Sequence, residues 1–181
     1  AAHFIQLCNQ IDTPIIFLQN VTGFLVGKDF EREGIIKTGS QMINAVSNST
    51  VPHITIIIGA SYGAGTYAMS GRAYNNRFTF IWPTAKIAVM GPKQIAGVMS
   101  LVRRGAAFRK GEEFDEAEDA KIVKLVEQIQ EKGSLALAAT GLISDDGIID
   151  PRDTRTVLGF CLSVVRNKAI EGAQSYGVFR L

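Results

Sequence analysis

The segment Ile54-Thr55-Ile56-Ile57-Ile58-Gly59-Ala60-Ser61-Tyr62-Gly63-Ala64-Gly65-Thr66-Tyr67-Ala68-Met69 is the most informative stretch of the chain. An apolar, β-branched run ends in small residues, and a helix-compatible stretch follows at once. Side chains no larger than a methyl at 59, 60, 63, 64 and 65 let another molecule approach the backbone closely. The first amides of the following helix lack intrahelical partners, and the helix dipole favours negative charge there. Such a turn is an anion or oxyanion cradle, or merely a tight strand-to-helix connection. This stretch by itself leaves both readings open.

Working outward, Pro14-Ile15-Ile16-Phe17-Leu18-Gln19 reads as a strand, with a loop Asn20-Val21-Thr22-Gly23-Phe24 at its C-terminal end. From about 29 to 48 the apolar residues Ile35, Ile36, Met42, Ile43 and Val46 have the spacing of an amphipathic helix. Both strands are apolar on successive residues, which predicts burial on both faces, as in a parallel sheet covered by helices. Strand, helix, strand, helix at this spacing is a βαβ unit. Strands 15–18 and 54–58 are therefore expected as parallel neighbours, with helices 29–48 and 64–70 packed against them. Residues 1–11 read as the end of an apolar-faced helix.

Downstream, Phe78-Thr79-Phe80-Ile81-Trp82 and Lys86-Ile87-Ala88-Val89-Met90 read as short strands around Pro83. Gly91-Pro92 opens a helix to about Arg103, with proline suited to its first position. Residues 103–132 are dense in charges of both signs. Ile122, Leu125, Val126 and Ile129 make a helical stripe there, so a solvated amphipathic helix is expected. Asp145-Asp146-Gly147 reads as a turn, and a last helix as Thr154 to about Ala169. No repeat, low-complexity tract or linker divides the chain, so residues 1–181 are read as a single α/β domain.

At 181 residues the chain can bury on the order of 70% of its unfolded surface. Its 46% hydrophobic and 20% charged content is ordinary for a soluble globular protein. A formal net charge of +2 makes no case for nucleic acid or a membrane surface as partner. No apolar run approaches the ~20 residues of a membrane span, and no signal-peptide pattern opens the chain. His3-Phe4-Ile5-Gln6-Leu7 already reads as structured, as if the chain began inside a larger fold. Cys8 and Cys161 stand alone among apolar neighbours, which predicts buried free thiols, a reducing compartment and no metal site.

Gly59-Ala60-Ser61-Tyr62-Gly63 matches G-x-S-x-G between a strand and a helix, the setting of a nucleophile elbow. An α/β hydrolase needs its acid and then its histidine downstream of that serine. Both histidines here, His3 and His53, lie upstream, and Ser61 would remain a weak nucleophile. Gly59, Gly63 and Gly65 do not form G-x-G-x-x-G, and the chain has no phosphate-loop GK[ST]. Asp145 and Asp146 as paired carboxylates compete with the simpler reading of a turn. His53, Tyr74 and Trp82 read as packed or wall residues. What survives is chemistry without a side-chain base, in which backbone donors hold a developing oxyanion.

Several motifs in order carry a resemblance. They are Phe17-Leu18-Gln19-Asn20-Val21-Thr22-Gly23-Phe24, Ser61-Tyr62-Gly63-Ala64-Gly65, Gly71-Arg72-Ala73-Tyr74, Ile81-Trp82-Pro83 and Val89-Met90-Gly91. Asp145 to Pro151, Asp153 to Gly159 and Tyr176 to Leu181 continue the series. Together they resemble the carboxyltransferase β subunit of biotin-dependent acyl-CoA carboxylases, nearest to the 3-methylcrotonyl-CoA branch. The family's subunit has two related halves, and this chain is similar to most of the second. One departure stands out: the family usually shows aromatic residues and an arginine ahead of Asp145, where this chain has Ser134 to Leu142.

The resemblance implies a crotonase-like ββα superhelix, here a partial C-terminal carboxyltransferase domain. It implies carboxyl transfer from carboxybiotin to an acyl-CoA, with biotin carried by a partner subunit or domain and coenzyme A as part of the substrate. The cofactor then supplies the base, in keeping with the lack of a downstream histidine. By the same resemblance, the amides of Ala64 and Gly65 form the biotin-side oxyanion hole. Thr22, Gly23, Phe24 and Gly63 contact the cofactor, and Tyr67 shapes the acyl pocket. Expected partners are a biotin carboxylase/biotin carrier subunit and further copies of the carboxyltransferase in a homo-oligomer. The expected location is the cytoplasm of a bacterium or the mitochondrial matrix of a eukaryote. Propionyl-, acetyl- or geranyl-CoA as substrate, and a non-catalytic assembly role, are the alternatives.

Overall fold

A computed structural model describes residues 1–177, so the end of the expected closing motif, 178–181, lies outside the described residues. Its axis is β2 (His53–Tyr62), whose β-branched run is fully buried at Ile54, Thr55 and Ile56. β1 (Ile15–Val21) runs parallel along one edge, from Ile15 opposite His53 to Gln19 opposite Ile57, and its register slips before Val21. The other edge is shared in succession by β3 (Phe78–Ile81), opposite Ile54 to Ile57, and β4 (Lys86–Ala88), opposite Ala60 to Tyr62. All three pairings are parallel, as the strand pattern predicts.

Two expectations about the strands change. β2 does not end at Ile58 but continues through Gly59-Ala60-Ser61. The absent Cβ of Gly59 makes this possible, because a Cβ there would lie 2.4 Å from the Asn20 side-chain oxygen. That oxygen accepts the Ala60 amide at 3.0 Å, and β4 completes the ladder. The turn therefore begins at Gly63, which takes the left-handed φ of +61° that glycine tolerates. β1, moreover, is not covered on both faces. Ile15, Phe17 and Gln19 point inward, while Ile16 and Leu18 remain exposed.

Helices cover the inward face. α1 (Ala2–Gln10) contributes Ile5 and Cys8 to a cluster with Ile15, Phe17 and Val51. The expected helix 29–48 is two helices, α2 (Lys28–Arg32) and α3 (Ile35–Asn48). Gly34 at φ +89° breaks the ladder between them, and α3 adds Ala45 and Val46 to the same cluster. α4 (Gly65–Ala68) is a single turn, shorter than the expected 64–70, and the chain leaves it at Ser70 with φ +55°.

α5 (Pro92–Lys110) runs past Arg103 to a left-handed Gly111, because its helical pattern extends into the charged region. α6 (Glu116–Gly133) is capped by Asp115, whose carboxylate accepts the amides of Ala117 and Glu118 at 2.9 Å. α5 and α6 pack on each other, so the charged segment is not one solvated helix. Asp119 is buried between them and takes hydrogen bonds from Ser100 and Arg103. α7 (Ala136–Gly141), not expected from the sequence, buries Ala136 against Ile57, Ile81 and Ala85. α8 (Thr154–Val165) stops short of Ala169. Among the described residues no helix is long and apolar enough to cross a membrane.

Candidate active site

Where β2 turns into α4, a cavity of about 660 Å³ opens to solvent. Gly63, Ala64 and Tyr67 line it from the turn and α4, with Ile87 and Val89 as apolar lining and Arg72 as the charged one. Tyr67 is half exposed and meets Tyr74 edge-to-face, with ring centroids 6.0 Å apart. The structure thus brings three of the seven sequence-derived residues to one cavity.

Gly65, by contrast, is buried against the loop that follows β1. A Cβ on Gly65 would lie 2.6 Å from Val21 Cγ2 and 3.2 Å from Gly23 Cα. Thr22 and Gly23 therefore sit beside α4 without lining the cavity, and Thr22 is exposed. Phe24 turns toward α3, where its ring lies 3.0 Å from the position of a Cβ on Gly39.

The ladder of α4 begins with Thr66 N donating to Gly63 O at 3.2 Å and Tyr67 N donating to Ala64 O at 3.1 Å. Among the described residues the amides of Ala64 and Gly65 have no acceptor. A pair of adjacent free amides, with only a methyl and a hydrogen as side chains, suits an oxygen that gains negative charge.

The G-x-S-x-G serine is committed elsewhere. Ser61 is fully buried; its hydroxyl donates to Gln19 Oε1 at 2.8 Å and shares a 2.9 Å bond with Thr66 Oγ1. His53 packs on Phe17, and its two ring nitrogens bond Ser70 Oγ and Ser49 Oγ at 2.9 and 2.8 Å. Burial pushes its pKa down to about 4, so it is a neutral packing residue at pH 7. No nucleophile–base contact joins it to Ser61.

Asp145 and Asp146 are likewise structural, as the turn reading expects. Asp145 accepts from Thr140 Oγ1 and Gly147 N; Asp146 accepts from Arg72 Nη1 and Thr79 N, both at 2.7 Å. Trp82 donates to Thr154 Oγ1 at 3.0 Å. Cys8 and Cys161 are buried free thiols, and burial raises both pKa values. Among the described residues no cluster of three or more His, Cys, Asp or Glu is arranged to hold a metal ion.

Two residues at the cavity escaped the sequence reading. Arg72 gave no signal beyond its motif. Gln19 gave one: it is a polar residue at an inward position of an otherwise apolar strand. It is fully buried, and its Nε2 donates to Met69 O at 2.7 Å and Thr66 O at 3.3 Å.

Comparison with known proteins bears on this geometry. Residues 1–178 match the carboxyl transferase domain family. Over 181 residues the chain is 59% identical to the probable biotin-dependent acyl-coenzyme A carboxylase beta2 subunit of Mycobacterium tuberculosis, all of this chain matching 34% of that protein. It is 48% identical over 180 residues to the mitochondrial methylcrotonoyl-CoA carboxylase beta chain of Arabidopsis thaliana, covering 99% of this chain and 30% of that one. The crystal structure of the P. aeruginosa geranyl-CoA carboxylase beta subunit superposes with a TM-score of 0.83 at 43% identity, covering 100% of this chain and 34% of that chain. The fold is thus the crotonase-like carboxyltransferase fold expected from the motifs. The chain spans about a third of the length of these relatives.

Proposed function

The chain belongs to the carboxyl transferase domain family, and from that premise we propose that it serves carboxyl transfer from carboxybiotin to an acyl-CoA. In this reading residues 1–181 are one domain, most of the second half of a carboxyltransferase β subunit. The other half supplies the thioester-side hole and most coenzyme A contacts. The observation that carries the reading is the pair of adjacent amides without acceptors at Ala64 and Gly65, of which Ala64 lines a cavity of about 660 Å³.

These residues fit the ureido group of biotin, since the amides of Ala64 and Gly65 have no acceptor among the described residues and Ala64, which lines the cavity, carries only a methyl. When bound, biotin brings the carboxyl group and then supplies the base that takes the acyl-CoA proton. The chain's own part is to orient and to stabilise charge. The amides of Ala64 and Gly65 donate to the oxygen that becomes negative. The cofactor contacts that the resemblance implies for Thr22, Gly23 and Phe24 lie outside the cavity lining, with Phe24 turned toward α3, and Gly63 keeps the turn open. Tyr67, braced by Tyr74, shapes the acyl pocket for a flat, branched, unsaturated group such as 3-methylcrotonyl. Geranyl-CoA is the second reading, favoured by the likeness to the P. aeruginosa subunit.

In the assembled enzyme the partners are a biotin carboxylase/biotin carrier subunit and further carboxyltransferase copies. The location is the cytoplasm of a bacterium or the mitochondrial matrix of a eukaryote. Function can be assayed by grafting residues 1–181 in place of the matching segment of the mycobacterial relative and supplying its carboxylated biotin carrier. Carboxylation of 3-methylcrotonyl-CoA ahead of geranyl- and propionyl-CoA is the expected result. A folded graft that carboxylates no acyl-CoA would overturn the catalytic reading in favour of an assembly role.

A further inference from the structure

The geometry points to Gln19 as a positioning residue that holds α4, and with it the amides of Ala64 and Gly65, in place; this inference rests on the amide hole proposed above. Gln19 is fully buried on the inward face of β1 and borders the cavity. Its side-chain nitrogen donates to Met69 O and Thr66 O. Both carbonyls belong to the last turn of a helix with no further turn to bond them. Its side-chain oxygen accepts from the Ser61 hydroxyl, which also bonds Thr66 Oγ1. One side chain therefore connects β1, β2 and α4.

A helix of four residues does not hold itself together, so tertiary bonds must set its direction. Beyond its end, Ser70 sits at φ +55°, gripped through its carbonyl by Thr55 Oγ1 at 2.8 Å and Asn76 Nδ2 at 3.1 Å. Those two bonds fix where the chain leaves the helix. Gln19 grips the helix itself, at Thr66, immediately beside the two free amides. Ser61 has a part in this. Its hydroxyl bond is consistent with Gln19 presenting its oxygen to β2 and its nitrogen to the α4 carbonyls. The serine of the G-x-S-x-G match thus orients an amide and does not attack a substrate.

The test uses the grafted enzyme with Gln19→Met, which keeps the length and loses every hydrogen bond. A misplacement on the order of 1 Å costs about a hundredfold in rate, so kcat should fall about 10- to 100-fold. KM for the acyl-CoA should stay within about twofold, because the hole acts on the transition state. In an Ala64→Pro background Gln19→Met should cost clearly less than it does alone, because only the Gly65 amide is left to misplace, whereas a merely structural role would give losses that multiply. Wild-type kcat in folded Gln19→Met, or multiplying losses, would overturn the inference. The two readings separate cleanly. Full activity in Ala64→Pro overturns the hole itself, while a dead Ala64→Pro beside an active Gln19→Met overturns only the role of Gln19. Should Gln19→Met not fold, Ser61→Ala removes the orienting hydroxyl alone. It should lower kcat a few-fold and also lower the melting temperature, since Gln19 Oε1 loses its buried donor, and an unchanged kcat would count against the inference.

Discussion

Replacing Gly65 with alanine tests the packing that sets the site. The new Cβ would lie 2.6 Å from Val21 Cγ2, 3.2 Å from Gly23 Cα and 3.3 Å from Gly23 N. Val21 can swing a methyl aside, but the Gly23 contacts are backbone. Either the 21–23 loop or α4 must therefore move by a few tenths of an ångström. Overpacking of this kind costs about 1–3 kcal/mol. The same displacement tilts the turn carrying the Ala64 and Gly65 amides, and turnover should fall about 10- to 100-fold. In the grafted enzyme, the denaturant midpoint reads the first effect at an unchanged slope, and kcat reads the second. A Gly65→Ala enzyme with wild-type midpoint and wild-type kcat would refute the close approach of the loop to α4.

His53 is held near pKa 4 by burial, below its ordinary 6.5, so the unfolded chain binds a proton that the folded chain refuses. Its contribution is complete above pH 6.5 and falls by about 1.4 kcal/mol per unit as the pH drops toward 4, on the order of 3 kcal/mol in all. Subtracting the His53→Gln profile of unfolding free energy against pH from that of wild type should isolate this slope, and parallel profiles would contradict it. Gly105, inside α5, has no atom within 4 Å of an added Cβ. Gly105→Ala should therefore raise stability by about 0.5–1 kcal/mol, and a lower denaturant midpoint would contradict this. Tyr67→Ala should shift the ratio of rates on branched unsaturated and short acyl-CoAs by roughly 10- to 200-fold. Equal losses on every substrate would show that Tyr67 serves only as packing for Tyr74.

The parallel pairing of β1 with β2 was legible because consecutive apolar, β-branched residues at 15–18 and 54–58 bound a helix-length connection. What periodicity could not deliver was settled by single tertiary contacts. Asn20 fills the space that Gly59 leaves, and so a glycine that reads as a turn becomes part of a strand. Gly34 takes a left-handed φ in a segment whose hydrophobic spacing continues across it. Asp119 lies in a charged stretch that reads as solvated, yet Arg103 and Ser100 on α5 bury it. At the site, the small residues 63–65 announced open backbone; among the described residues the amides of Ala64 and Gly65 have no acceptor, whereas that of Gly63 donates to Ala88 O at 3.1 Å. Gln19 gave no sign of its role because its partners, Thr66 and Met69, lie 47 and 50 residues away in sequence. A lone glutamine in an apolar strand nonetheless marks a buried polar group that must be satisfied.

In the proposed function the amides of Ala64 and Gly65 hold the charge that develops during carboxyl transfer. Ala64→Pro in the grafted enzyme tests this most directly. Ala64 has φ −66°, the value that proline imposes, and its amide makes no bond that the substitution would break. The preceding Gly63 lacks a Cβ, which removes one of the two clashes that a proline ring makes with the residue before it. Melting should therefore stay close to wild type, while kcat falls on the order of a hundredfold or more through loss of one donor. Wild-type turnover in a folded Ala64→Pro enzyme would contradict the account.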